Sequence, residues 1–204
     1  MELSEDIKRI LTEKLFLEQF LNEKEIEKFY AMIEHYLLNR STTETFLKNI
    51  DATIQFFELV GVDYRGMLTS MMNWPAIIHA NKDELLIKFM LLADVVSFRT
   101  GELARYNILI NHPKDLMTGI ETIYARLCYL QSEQGKIMLR NEGITRRKVL
   151  KVTHSEFEEI YRIKKEDLLE RYPFTPDALE DIMRWESNRE FVEKYEEKTK
   201  IRKN

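Results

Sequence analysis

Residues 109–130 read LINHPKDLMTGIETIYARLCYL. A short helix ending near Ile110 must stop before His112-Pro113, because the residue preceding a proline is pushed out of the α region. Beyond the proline, Leu116, Ile120, Ile123, Leu127 and Leu130 recur at three and four residues. That spacing lays one apolar stripe along a helix. A short helix, a proline stop and a longer one-sided helix form a helix pair, and its texture is that of an all-α chain.

The same texture extends upstream. Asn73-Trp74-Pro75 aligns with Asn111-His112-Pro113 at an offset of 38 residues, with Met71-Met72 over Leu109-Ile110 and Ile78 over Leu116. A third proline step, Tyr172-Pro173, keeps Leu169 over Met71. Two helices per unit with a period in the thirties predict an α-solenoid-like array of short helix pairs. A bundle of helix hairpins with proline stops is the alternative. Before Gly61 the helices are longer. Ser4 caps a helix running to about Phe20, and Ile26, Phe29, Tyr30, Ile33 and Leu37 mark the next. Thr42 or Thr43 opens a third, with Phe46, Leu47, Ile50, Ile54 and Phe57 on one face. Gly61 suits the left-handed position that ends it.

Downstream, Asn81 caps a helix carrying Leu85, Leu86, Phe89 and Leu92, and Gly101 to Ile110 forms a short one. Gly135 and Gly143 read as breaks. Thr145–Val152 reads as a short basic helix, with Val149–Val152 the best candidate for a strand. Thr153 or Ser155 starts a helix to Ile163, and Lys165–Arg171 ends before Tyr172-Pro173. Thr175-Pro176-Asp177 opens the last helix, which is expected to run to about Lys198. The expected organisation is residues 1–60 as acidic N-terminal helices, 61–175 as proline-punctuated repeats and 176–204 as a C-terminal helix, in one continuous domain.

Composition supports a folded core. Hydrophobic residues are 44% of the 204 and charged residues 32%, with only 6 glycines and 4 prolines. No apolar run is long enough to span a bilayer and the N-terminus is acidic, so the expectation is a cytoplasmic chain without membrane contact. The net charge of −4 opposes strong nonspecific binding of nucleic acid. The charge is uneven, however. Residues 1–60 carry 7 basic and 12 acidic groups, net −5, whereas 136–165 carry 9 and 4, net +5.

In the segments quoted above the chain resembles the mitochondrial transcription termination factor (mTERF) family over about residues 46–175. Phe56-Phe57-Glu58-Leu59-Val60-Gly61-Val62, then Met67-Leu68 and Trp74-Pro75-Ala76-Ile77-Ile78, follow the family's pattern. So do Asn111-His112-Pro113-Lys114-Asp115-Leu116 and Tyr124-Ala125-Arg126-Leu127-Cys128-Tyr129-Leu130, and Phe157-Glu158-Glu159-Ile160-Tyr161 is similar to its last repeat. The chain departs from the family's nucleic-acid binders in being acidic and shorter. The resemblance implies a curved helical array whose basic side holds duplex nucleic acid without catalysis.

The residues expected to contact phosphates are Arg140, Arg146, Arg147, Lys148 and Lys151, with Lys164 and Lys165 further on, extended by Arg99, Arg105 and Arg126 on the repeats. In a helix Arg147 and Lys151 share a face one turn apart, and such a row meets phosphates more than bases. A solvated helix face, ion-paired to Glu156, Glu158 and Glu159, is the plainer interpretation. Catalytic chemistry finds no footing. His35, His79, His112 and His154 are scattered without metal-ligand spacing, and the adjacent pairs Asp83-Glu84 and Glu158-Glu159 point apart on a helix. Cys128 lies among apolar residues with no local histidine partner and reads as a small buried hydrophobe. No phosphate loop or nucleophile elbow occurs, and no metal or cofactor is expected. Three functions stay open: a nucleic-acid-binding regulator of transcription or replication, a helical protein-interaction adaptor or inhibitor using the acidic N-terminal helices or an apolar groove, and, with no constellation behind it, an enzyme whose site is assembled from scattered residues.

Overall fold

Short polar side chains before apolar-periodic runs start most of the helices. The computed structural model describes residues 3–40, 42–97, 103–139, 144, 147–185 and 188–201, with backbone alone at 36–40, 93–97, 103–105, 147, 195 and 197–201. The fold is all-α, and the described residues contain no strand. The chain divides into two compact units, residues 1–82 with 110–114, and residues 83–109 with 115–204.

Unit 1 holds α1 (Glu5–Leu15), α2 (Leu17–Phe20), α3 (Glu23–Arg40), α4 (Thr43–Leu59) and α5 (Tyr64–Asn73). The side-chain oxygens of Ser4, Thr42 and Asp63 accept the backbone N–H groups of Ile7, Thr45 and Gly66 at the starts of α1, α4 and α5. The helix expected to run from Ser4 to Phe20 is broken. Phe16 takes left-handed dihedrals (φ 48°, ψ 41°) between α1 and α2, and the bend lets Leu15 and Leu17 both become fully buried. Gly61, with φ 75°, follows α4 as expected.

The proline stop at Trp74-Pro75 becomes a 3₁₀ turn, Pro75–Ile78, on which α3, α4 and α5 pack. Ile77 and Ile78 are buried there. The Lys82 ammonium donates to the carbonyls of Ile77, Ile78 and Ala80 at 2.7, 3.1 and 2.9 Å. Its three N–H donors thus meet three acceptors, while burial lowers its pKa to about 8.

Unit 2 holds α6 (Lys82–Ser97), α7 (Leu103–Asn111), α8 (Ile120–Gln131), α9 (Glu133–Leu139), α10 (His154–Tyr161), α11 (Lys165–Arg171), α12 (Pro176–Arg184) and α13 (Arg189–Ile201), the ends of α6 and α7 reaching into unit 1. The 38-residue recurrence has a structural counterpart. As α5 ends at Asn73 before the Pro75 turn and α6, so α7 ends at Asn111 before a 3₁₀ turn at Pro113–Met117 and α8. The third step differs: after Tyr172-Pro173 the Thr175 hydroxyl caps α12 directly.

Three further expectations need correction. Gly135 is not a break but lies buried inside α9, where α9 crosses α8. Val149–Val152 is not a strand, because residues 147–151 wind into a single π-helical turn that buries Val149 and Leu150. The last helix is not continuous: Trp185 is extended, and Asn188, fully buried, donates to the carbonyls of Met90 and Ile182 at 3.3 and 2.8 Å. That link to α6 holds the break between α12 and α13. Lys88, buried on α6, similarly donates to the Leu116 carbonyl at 2.8 Å and pairs with Glu84.

Candidate nucleic-acid interface

The basic segment of unit 2 is organised around α8, which packs on α9, α11 and the π turn. Tyr129, fully buried on α8, is the pivot. Its ring lies 6.0, 6.1 and 6.5 Å from those of Phe157, Tyr161 and Tyr172. Its hydroxyl donates at 2.8 Å to the carbonyl of Tyr161, the last residue of α10. One side chain therefore grips both α10 and the residue that follows α11.

Helix α10 begins with a full capping box: Thr153 accepts from the Glu156 N–H and Glu156 accepts from the Thr153 N–H. It ends at Arg162, a second left-handed residue (φ 55°, ψ 36°), whose N–H returns to Glu158. Ile163 is buried, and Lys164 occupies the N-cap position of α11. Two short helices are thus joined by a three-residue turn and held against α8, an arrangement that a helix-turn-helix shares. The buried set Phe157, Tyr161, Ile163 and Leu168 is its core.

Of the cations expected to contact phosphates, Arg126 is the clear correction. It is 1% exposed. Its Nη1 donates to the Val149 carbonyl at 2.9 Å, and its guanidinium lies 5.0 Å from the centre of the Phe157 ring. Burial lowers its pKa to about 10, opposed by Glu156, so it stays charged at neutral pH. Arg126 is a strut that holds the π turn against α8, and Thr118 assists by donating to the Leu150 carbonyl at 3.0 Å. Lys148 is half-buried, and Lys151 is exposed at 3.8 Å from Asp115. Arg99, Arg140 and Arg146 lie outside the described residues, as do the side chains of Arg105 and Arg147, and with them the expected pairing of Arg147 with Lys151.

Lys164 and Lys165 continue that basic row in sequence, and Arg162 is the cation of the turn that it did not include. Arg162, Lys164 and Lys165 are exposed and have no ion-pair partner among the described residues, and nor does Arg171 at the end of α11. Lys8, Arg9, Lys14, Lys136, Arg184 and Lys194 are paired with carboxylates, whereas Lys24, Lys28, Lys48, Arg65 and Lys114 are also exposed without an ion-pair partner among the described residues, so the turn stands out by grouping its cations within four residues. His154 at the start of α10 senses this charge: burial, then Arg126 and Lys165, depress its pKa, with Glu166 acting oppositely. The surface is mixed, since Glu158, Glu159, Glu166, Asp167 and Glu170 are exposed on the same two helices.

Two recesses lie elsewhere in unit 2. One, of about 440 Å³, is apolar and lined by Leu86, Met90, Leu179, Met183 and Phe191. The other, of about 540 Å³, holds Tyr124, Cys128, Asp181 and Trp185. There burial raises the Cys128 thiol and pushes Tyr124 up to about 12, so both stay protonated at neutral pH. No group of three or more His, Cys, Asp or Glu side chains suited to a metal occurs among the described residues, and none of their helices is long and apolar enough to cross a membrane. Comparison with known proteins finds no matching family model, no matching curated protein and no matching solved structure.

Proposed function

We propose that the chain is a non-enzymatic nucleic-acid-binding protein that meets the phosphates of a duplex with the turn between α10 and α11, together with Lys151 of the π turn. The observation that carries this reading is the exposed set Arg162, Lys164 and Lys165, unneutralised on a helix-turn-helix layout whose backbone Tyr129 holds in place. Phosphate contacts position a protein on a duplex, and α11 is the element that such a layout presents to a groove. The mTERF resemblance leans the same way, with the 38-residue recurrence as its array-like part, and a role as a transcription or replication regulator in the cytoplasm is the fitting one. The acidic groups on α10 and α11 limit the contact to a few phosphates.

Fluorescence anisotropy with a labelled DNA duplex and a labelled RNA duplex tests this. With about four phosphate contacts, log K against log salt falls with a slope of about −3.6. Lys164→Glu with Lys165→Glu flattens the slope by about 2 and weakens binding to all sequences alike. No binding to either duplex at low salt would sink the proposal.

A further inference from the structure

We propose that unit 1 carries a docking surface for a second copy of this chain: the rings of Phe16, Phe20 and Tyr64 receive the basic turn Arg162–Lys165 of that copy. The bend at Phe16 is needed, since Leu15 and Leu17 on either side are fully buried. A phenylalanine is not needed to make it. Glycine takes left-handed dihedrals freely, whereas a bulky L-residue is strained there by about 1–2 kcal/mol. The chain keeps the strained residue and leaves its ring 42% exposed. Backbone strain retained at a surface position is a mark of function.

The ring is not isolated. Phe16 meets Tyr64 edge-on at 5.2 Å, and Phe20, 37% exposed, lies parallel to Tyr64 at 6.0 Å. The exposed carboxylates of Glu13, Glu18 and Asp63 flank these rings in sequence. Lys14, between them, is tied to Asp51 at 2.5 Å, which leaves Arg65 as the one other flanking cation. Aromatic faces bordered by carboxylates suit a guanidinium or an ammonium. The complement is present in the chain itself: Arg162, Lys164 and Lys165 are exposed without ion-pair partners among the described residues, whereas residues 1–60 are net −5. Each copy then offers one surface of each kind. The contact is head-to-tail, and its small size makes it weak and salt-sensitive.

Sedimentation velocity on the full chain, free of nucleic acid, tests this independently of the proposed function. The weight-average sedimentation coefficient is expected to rise with protein concentration at about 0.05 M salt and to lose that rise at about 0.5 M. Phe16→Ala with Phe20→Ala stays monomeric, and so does Lys164→Glu with Lys165→Glu. An equimolar mixture of these two variants regains a contact, because each keeps the surface the other lacks. It stops at one-to-one dimers, since no further surface is left intact. Phe16→Gly keeps the left-handed bend, which glycine takes freely, and removes only the ring; it is expected to weaken association about tenfold or more. The proposal is overturned by a wild-type coefficient that stays constant with concentration at low salt, by either double variant associating like wild type, or by a mixture that stays monomeric.

Discussion

Gly135→Ala is expected to damage unit 2 more than any surface change. An ideal Cβ at Gly135 would sit 2.0 Å from the Tyr129 carbonyl oxygen, 2.7 Å from the Leu130 Cα and 2.8 Å from the Tyr129 carbonyl carbon. All three atoms are backbone, so no rotamer change relieves the overlap. Ordinary contact begins near 3.4 Å, so the two helices must part by about 1.4 Å at their closest point. Close-packed interiors do not absorb such a shift. It strains the Ser132 hydroxyl, which donates to the Tyr129 carbonyl at 2.6 Å and accepts from the Gly135 N–H at 3.2 Å. It also loosens Leu130 and Leu139, both buried. Overpacking of side chains costs about 1–3 kcal/mol, and a clash with backbone belongs at or above the upper end. For a chain of this size, about 3 kcal/mol lowers the melting temperature by roughly 6–12 °C. The better helix propensity of alanine returns only about 1 kcal/mol. Thermal unfolding followed by circular dichroism reads the shift, with Gly119→Ala as the control, since the one atom near a Cβ there is a flexible Glu121 carboxylate oxygen at 3.3 Å. A Gly135→Ala protein that melts with wild type would refute the close crossing of α8 and α9.

Other consequences are equally open to measurement. Tyr129→Phe deletes one hydroxyl and leaves the Tyr161 carbonyl without its donor; the urea midpoint should fall by the equivalent of about 1 kcal/mol, and duplex affinity should fall although no charge has changed. Lys82→Met removes the ammonium from three carbonyls, of which Ile77 keeps the Ala80 N–H, and is expected to cost about 1–3 kcal/mol in urea unfolding at pH 7; an unchanged midpoint would show that water replaces the ammonium. His154 has a depressed folded-state pKa, so protonation favours the unfolded chain. Its contribution is present above the unfolded value of about 6.5 and is lost as pH falls below it. By proton NMR its titration should move up in Lys165→Gln and down in Glu166→Gln, and no movement in either would separate α11 from His154.

Local chemistry was legible in the sequence. Ser4, Thr42, Thr153 and Thr175 cap helices because a short oxygen-bearing side chain reaches an N–H three residues on, and neighbouring residues suffice to see that. The proline steps and Gly61 follow from backbone sterics for the same reason. Features set across the fold were hidden. Gly135 looks like a helix break until α8 is placed against it. The interruption between α12 and α13 contains no glycine or proline and rests on Asn188 bonding to Met90, 98 residues away. Phe16 gives no local sign of a left-handed bend, since that bend answers to the burial of Leu15 and Leu17 together.

The cations show most clearly where a run of charge misleads. Counting basic residues pointed to the segment 136–165 but could not say which cations of that region the fold would bury, pair or leave exposed. Arg126 had a usable signal: it lies three residues after Ile123 and four before Leu130, on the face of α8 that the apolar stripe buries. A charge on that face has to find a carbonyl, and it found Val149. Arg162 had none, because a left-handed residue after α10 could as well have been asparagine or glycine. Its exposure follows from the turn, and the turn follows from Ile163 and Tyr161 being drawn into the core around Tyr129. An arginine on the apolar stripe thus became structure, whereas the arginine and lysines displaced by the burial of Ile163 became surface. The candidate interface is therefore a consequence of how the aromatic core of α8, α10 and α11 packs, and it should fail with that core before it fails with any single charge.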